Sequence, residues 1–218
     1  MSICSLCLYM NERSFILKEE NVMDTRQHIL DTTERMLQER GLARVTTRDI
    51  TRAAGLAAGT LYVHFPHKED LFLAIIQRHL LAFVPTVQPE QAGTQPLRAG
   101  LEAIGQAAVR YYGELIPLAA SLFADPSLLL RHQAWMAEHG GPEQIYQRVA
   151  AYIVAEQRIG RIRQDYEASD VAAALLGPCF QYAFMQHFLG RAPFHQSEQE
   201  FVTSVLAPLL TGLSAGAE

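Results

Sequence analysis

Between residues 46 and 66 the chain reads TTRDITRAAGLAAGTLYVHFP, and its punctuation leaves the backbone little freedom. Thr46 is placed to cap a helix, with Asp49 three residues on to complete a capping box. Val45 and Ile50 flank that start as a hydrophobic staple, and Ile50, Ala53 and Ala54 are expected to face inward. Gly55 supplies the positive φ that a tight exit needs, and Leu56 fills the corner. A second short helix is expected over 58–65, with Leu61 and Phe65 one turn apart on its buried side; Pro66 stops it. Two short helices around a glycine turn, with small residues at their crossing, match a helix-turn-helix.

Elsewhere apolar residues recur at three- and four-residue spacing and no stretch alternates with period two, so the expected fold is all-α. A first helix opens at Asp24, with Gln27 as its capping-box partner and Ile29, Leu30, Thr33, Met36 and Leu37 facing inward; Gly41 ends it and Leu42 folds back on Leu37. A fourth begins at His67 or Lys68, carries Glu69 and Asp70 in its first turn, and runs towards Pro85. The proline-rich PTVQPEQAGTQP follows and reads as a domain boundary. Beyond it helices are expected near 95–113, 117–124, 126–139, 142–160, 167–190 and 197–214, the last opened by a Ser197–Glu200 capping box. The division is then 24–84, a three-helix helix-turn-helix unit, and 85–218, a helical bundle, with 1–23 a disordered extension; Met10 and Met23 are alternative starts.

The charges are segregated. Between Arg40 and Lys68 five cations face one acid, whereas after residue 85 eight cations face thirteen acids, within a net charge of -5 for the whole chain. A basic patch confined to the helix-turn-helix is the electrostatic footprint of a double-stranded DNA partner. The composition, 49% hydrophobic and 19% charged, is that of a globular protein. Three cysteines, Cys4, Cys7 and Cys179, are too few for a disulfide scaffold, and the Cys4–Cys7 pair supplies only half of a zinc site, so free thiols and a cytoplasmic location are expected. ICSLCLYM lacks the basic flank of a signal peptide. VAAALLGPCFQYAFMQHFL, residues 171–189, approaches the length of a membrane span, but Pro178, Gln181, Gln186 and His187 favour a helix buried in a core and a subunit interface, with no membrane contact.

The stretch VTTRDITRAAGLAAGTLYVHFPHKEDLF strongly resembles the DNA-binding segment of TetR-family transcriptional regulators, densely over residues 24–80 and only in architecture beyond about residue 86. The resemblance implies an all-helical homodimer that binds a palindromic operator, usually represses, and is released by a small molecule. Physics and resemblance together give Thr47 and Arg48, at the start of the second helix, contacts to phosphate or base edges. Gly59 lets the backbone approach DNA; Thr60, Tyr62 and His64 offer polar contacts, and Lys68 meets a phosphate. The family commonly has a polar residue at the entry to the third helix, where this chain has Ala57 and Ala58, methyl groups suited to a thymine methyl.

In the larger domain Tyr111, Tyr112, Phe123, Trp135, Met136, Tyr152, Cys179, Tyr182 and Phe184 are the expected lining of a site for a small hydrophobic or aromatic effector, with Pro178 kinking its helix to open space beside Cys179 and Tyr182. The helices at 167–190 and 197–214 are expected to pair with those of a second copy as a four-helix bundle. An enzyme is the competing class, but no HExxH or phosphate-binding glycine loop is present, no Ser-His-Asp grouping can be assembled, and no catalytic residue, cofactor or metal is expected. His132 and His139, two turns apart, have metal-ligand spacing; solvent-facing side chains are the expectation. A regulator without any effector is the other alternative.

Overall fold

In the computed structural model, residues 24–40 and 44–213 are described; the Cys4–Cys7 pair, the extension, Gly41 and Leu42 lie outside them. All regular structure among the described residues is helical. The chain divides into two compact units, up to Ile75 and from Ile76 onward.

In the first unit α1 spans residues 24–40, and Ile29, Leu30, Thr33, Met36 and Leu37 are all buried, as their spacing predicts. Asp24 already lies within the helix, and Gln27 reaches forward, its Nε2 donating to Asp31 Oδ1 at 3.1 Å, rather than back to a cap. Helices α2 (Thr47–Ala54) and α3 (Ala58–His64) follow, then α4 (Lys68–Phe83), within which the division between units falls.

In the second unit α5 (Leu97–Ala124), α6 (Pro126–His139), α7 (Glu143–Arg158), α8 (Ala168–Leu189) and α9 (Glu198–Leu213) build a bundle. Its core runs through Leu101, Val109, Ile153, Leu175, Leu176 and Leu206, where α5 and α7 flank α8 and α9 lies against α5. The Ser197–Glu200 box forms: Ser197 N–H donates to Glu200 Oε2 at 2.8 Å and Glu200 N–H to Ser197 Oγ at 3.3 Å. Asp125 caps α6, taking the N–H groups of Ser127 and Leu128.

The expected break between residues 113 and 117 is absent, because α5 runs through Pro117 without interruption. Proline has no N–H to give the carbonyl four residues back, which here is Gly113. His187 of α8 supplies the missing donor, its Nε2 lying 2.6 Å from Gly113 O. One residue on, Glu114 Oε2 lies 3.3 Å from Nδ1 of His79. Burial lowers the His79 pKa, and Glu114 partly offsets this.

The proline-rich segment is tied down at several points. Val87 is fully buried, and its carbonyl accepts from Arg148 Nε at 2.7 Å. Gly93 N–H donates to the buried carboxylate of Glu156, and Arg161 Nη2 to Gln95 O at 2.7 Å. Lys68–Gln91 alone among the described helices is long and apolar enough, by length and composition, to cross a membrane. Short 3-10 turns at Val84–Thr86 and Pro89–Gln91 interrupt it, and Leu71, Phe72, Ile75 and Phe83 are buried within protein.

A candidate DNA-reading surface on α2 and α3

The start of α2 is fixed as its sequence demands. Thr46 N–H donates to Asp49 Oδ2 and Asp49 N–H to Thr46 Oγ1, each at 3.2 Å. The bonds from Thr46 hold the Asp49 carboxyl below the usual carboxylate range. Val45 and Ile50, the two halves of the staple, are buried.

The exit is equally defined. Gly55 has φ 67°, and Leu56 N–H reaches back to Thr51 O at 2.9 Å. His28 of α1 adds a tie no local pattern shows, its Nε2 lying 3.0 Å from the terminal carbonyl of Ala54. The inward face of α2 is Ile50, Thr51 and Ala54; Ala53, expected inside, is exposed. It lines an open groove of about 300 Å³ with Met36, Arg35 and Arg52, because the 100° step of the helix carries residue 53 past the side that α3 covers.

Leu61 and Phe65 bury the inner side of α3, with the Arg26 guanidinium 5.0 Å from the centre of the Phe65 ring. The helix starts without a side-chain cap, since its N-cap is Ala57. Ala57, Ala58 and Gly59 are exposed, while Thr60, His64 and Lys68 are half-buried. Tyr62 is 50% exposed, and its hydroxyl lies 3.5 Å from Thr47 Oγ1. The α2 start and the outer side of α3 therefore form one surface, with Arg48 exposed beside it.

Two features sharpen that surface. A Cβ built on Gly59 meets no atom within 4 Å, so no internal contact demands glycine there. Val63, unremarked in the sequence reading, is 79% exposed one helical turn from Gly59. Its signal was available: an apolar residue opposite the Leu61 and Phe65 side.

Residues 29–75 match the family model described as bacterial regulatory proteins, tetR family. The regulator AcrR of Shigella flexneri is 39% identical over 57 residues, 26% of this chain and 26% of its own length. Over these residues the chain carries the amino-terminal helix-turn-helix of the TetR family. The repressor KstR2 of Rhodococcus jostii is 37% identical over 79 residues, 36% of this chain and 39% of its own length. The chain thus spans about a quarter to two fifths of these curated relatives. A TetR-family regulator of known structure from Mesorhizobium loti shares the fold with TM-score 0.72 at 15% identity, covering 88% of this chain and 98% of that one. These TetR relatives are transcriptional regulators rather than enzymes.

In the second unit the structure brings some of the expected effector residues together. Tyr111 and Tyr112 are buried, and a train of rings runs from Phe83 through Tyr111, Tyr112 and Phe180 to Phe184, with neighbouring centroids 5.1–6.4 Å apart. Burial pushes both phenols upward, so they stay neutral. Cys179 and Tyr182 are core: α8 continues through Pro178, Cys179 Sγ donates to Leu175 O at 3.2 Å, and Tyr182 hydroxyl donates to Gln196 O at 2.8 Å. Burial holds the Cys179 thiol up at about 12. Tyr152 is buried against Gly100, Phe123 is exposed, and Trp135 stacks on His139 at 4.8 Å, with Met136 beside Gly141.

The two spaced histidines do not converge on a metal. His139 Nδ1 lies on its own helix, 3.0 Å from Trp135 O, and no cluster of three metal-ligating residues occurs among the described residues. His132, expected to face solvent, is buried instead. It lies one turn from Leu128 on the α6 face turned into the protein.

Proposed function

We propose that this chain is a DNA-binding transcriptional repressor that works as a homodimer on a palindromic operator and is released by a small hydrophobic effector. The observation that carries it is Gly59, a glycine the fold does not need, on an exposed basic surface. Close approach by an outside body explains it, and α3 in a major groove is such an approach. Arg48 and Thr47 then hold phosphate or base edges at the amino end of α2, Thr60, Tyr62 and His64 read beside them, and Lys68 meets a phosphate. Ala57, Ala58 and Val63 present methyl groups, which suit thymine.

Repression is supported by likeness to KstR2, named a repressor. Dimerisation is supported by α8, where Phe180, Phe184 and Phe188 stack along an exposed face next to Ala173 and Gly177, with the exposed Ala207 and Pro208 on α9. A row of exposed rings this long on a helix with an otherwise buried face is characteristic of a subunit contact. Effector release supposes that a ligand favours an arrangement of the dimer whose reading surfaces no longer match the half-site spacing.

The test is a shift assay at fixed salt on DNA flanking the protein's own gene, with sedimentation to count chains per operator. Arg48→Ala is expected to weaken binding about tenfold, on the scale of one charged contact. Two chains per site are expected. Unchanged affinity and sequence preference in Arg48→Ala would remove Arg48 from the reading surface, and one chain per site would overturn the dimer. If no hydrophobic compound changes operator affinity, the protein regulates without an effector.

A further inference from the structure

Resting on the reading of the second unit as an effector domain, we propose that His132 is the polar anchor of the effector site, and that the effector is an uncharged, largely apolar molecule with one hydrogen-bonding group. His132 is 8% exposed, and its Nδ1 is buried without a hydrogen-bond partner. A buried nitrogen in that condition costs stability, which an occupant pairing with it recovers. Few other side-chain atoms among the described residues share this state. Of these, Glu156 Oε2 faces Arg161 Nε at 3.3 Å, and Tyr152 hydroxyl is pressed against Gly100.

The surroundings set the ligand's chemistry. Burial alone lowers the His132 pKa, with no charged side chain contributing, so the ring is neutral at pH 7 and can either donate or accept through Nδ1. Half-buried Trp135 and Met136 lie one turn further along the same side of α6. A neutral imidazole among such groups gives an ionised ligand no counter-charge to repay its desolvation. A single hydroxyl, amine N–H or carbonyl on an aromatic body is repaid in full.

Helix α6 also offers the entrance. Only Leu128 and His132 of its fourteen residues are buried, and it packs chiefly against α5. A helix held by so little apolar contact opens at lower cost than α5 or α8, which share the main core. The molecule that lifts α6 exposes His132 first.

Two dyes with the same rings separate these claims. Phenylnaphthylamine is uncharged with one N–H, and anilinonaphthalene sulfonate adds an anionic group. Binding to the full chain is followed by fluorescence, and operator release by the shift assay. The wild type is expected to bind phenylnaphthylamine at least tenfold more tightly than the sulfonate. His132→Leu should weaken phenylnaphthylamine about tenfold, the scale of one buried hydrogen bond. His132→Asn, which keeps a donor and an acceptor, should stay within about threefold of wild type; thermal melting shows that each variant is folded. Equal affinity of wild type and His132→Leu overturns the anchor, and equal affinity for the two dyes overturns the ligand class. No binding of phenylnaphthylamine by the wild type overturns both. Binding that depends on His132 but leaves operator affinity unchanged upholds the site and instead sinks release by an effector.

Discussion

Gly59→Val is expected to lower operator affinity on the order of a hundredfold while leaving the protein folded, a loss equivalent to about 2.7 kcal/mol. Internally the substitution is cheap, because the Cβ position is open and the residue does not have a positive φ. Replacing glycine near the start of α3 offsets backbone entropy by up to about 1 kcal/mol, less the χ1 restriction of a branched side chain. The melting temperature should therefore stay within about 2 °C of wild type. On the outside, two added methyl groups stand where the backbone of α3 is proposed to meet DNA, and they hold the whole helix away from the groove. Gly59→Ala, with a single methyl, should fall between, at roughly tenfold. The measurements are an operator titration and a thermal melt on the same samples. Wild-type affinity in Gly59→Val would show that this face of α3 is not the one that reads DNA.

That surface was legible because its determinants are local. Thr46 and Asp49 find each other three residues apart, Gly55 adopts the conformation that glycine alone adopts easily, and Leu61 and Phe65 mark the buried side of α3 by their spacing. What failed were inferences whose deciding partner is far along the chain. Pro117 looked like the start of a new helix after a break at 113, and the break is absent where His187, 74 residues beyond Gly113, donates to the Gly113 carbonyl that Pro117 leaves free. His132 looked solvated because a lone histidine on a helix carries no sign of what will cover it; α6 turns that face inward alongside Leu128. The effector residues were chosen as aromatic and sulfur side chains and by the proline at 178, and the structure separates Phe123, at the surface, from Tyr111, Tyr112, Cys179 and Tyr182, which share one buried core. Composition says that rings are available, and only packing says which of them meet.

Glu156 is the clearest case of a residue with no local signal, and Glu156→Ala is expected to destabilise the second unit by about 3 kcal/mol. Its carboxylate is fully buried: Oε1 accepts from Gly93 N–H at 3.2 Å, 63 residues away, and Oε2, without a hydrogen bond, is ion-paired with Arg161 Nε at 3.3 Å. Arg161 in turn bonds Gln95 O, so one buried acid fastens the segment after α4 to the end of α7. Removing the carboxylate orphans the Gly93 N–H and leaves a guanidinium beside an apolar void. Because Arg161 remains 27% exposed and can turn towards water, the cost belongs at the lower end of the range for a broken buried pair. For a chain of this size that is a fall of roughly 6–12 °C in melting temperature. Glu156→Gln keeps an acceptor for Gly93 and loses only the ion pair, so about half the effect is expected. Calorimetry of the three proteins decides it. A loss below about 1 kcal/mol in Glu156→Ala would mean that Arg161 and Val87 hold the segment without the acid.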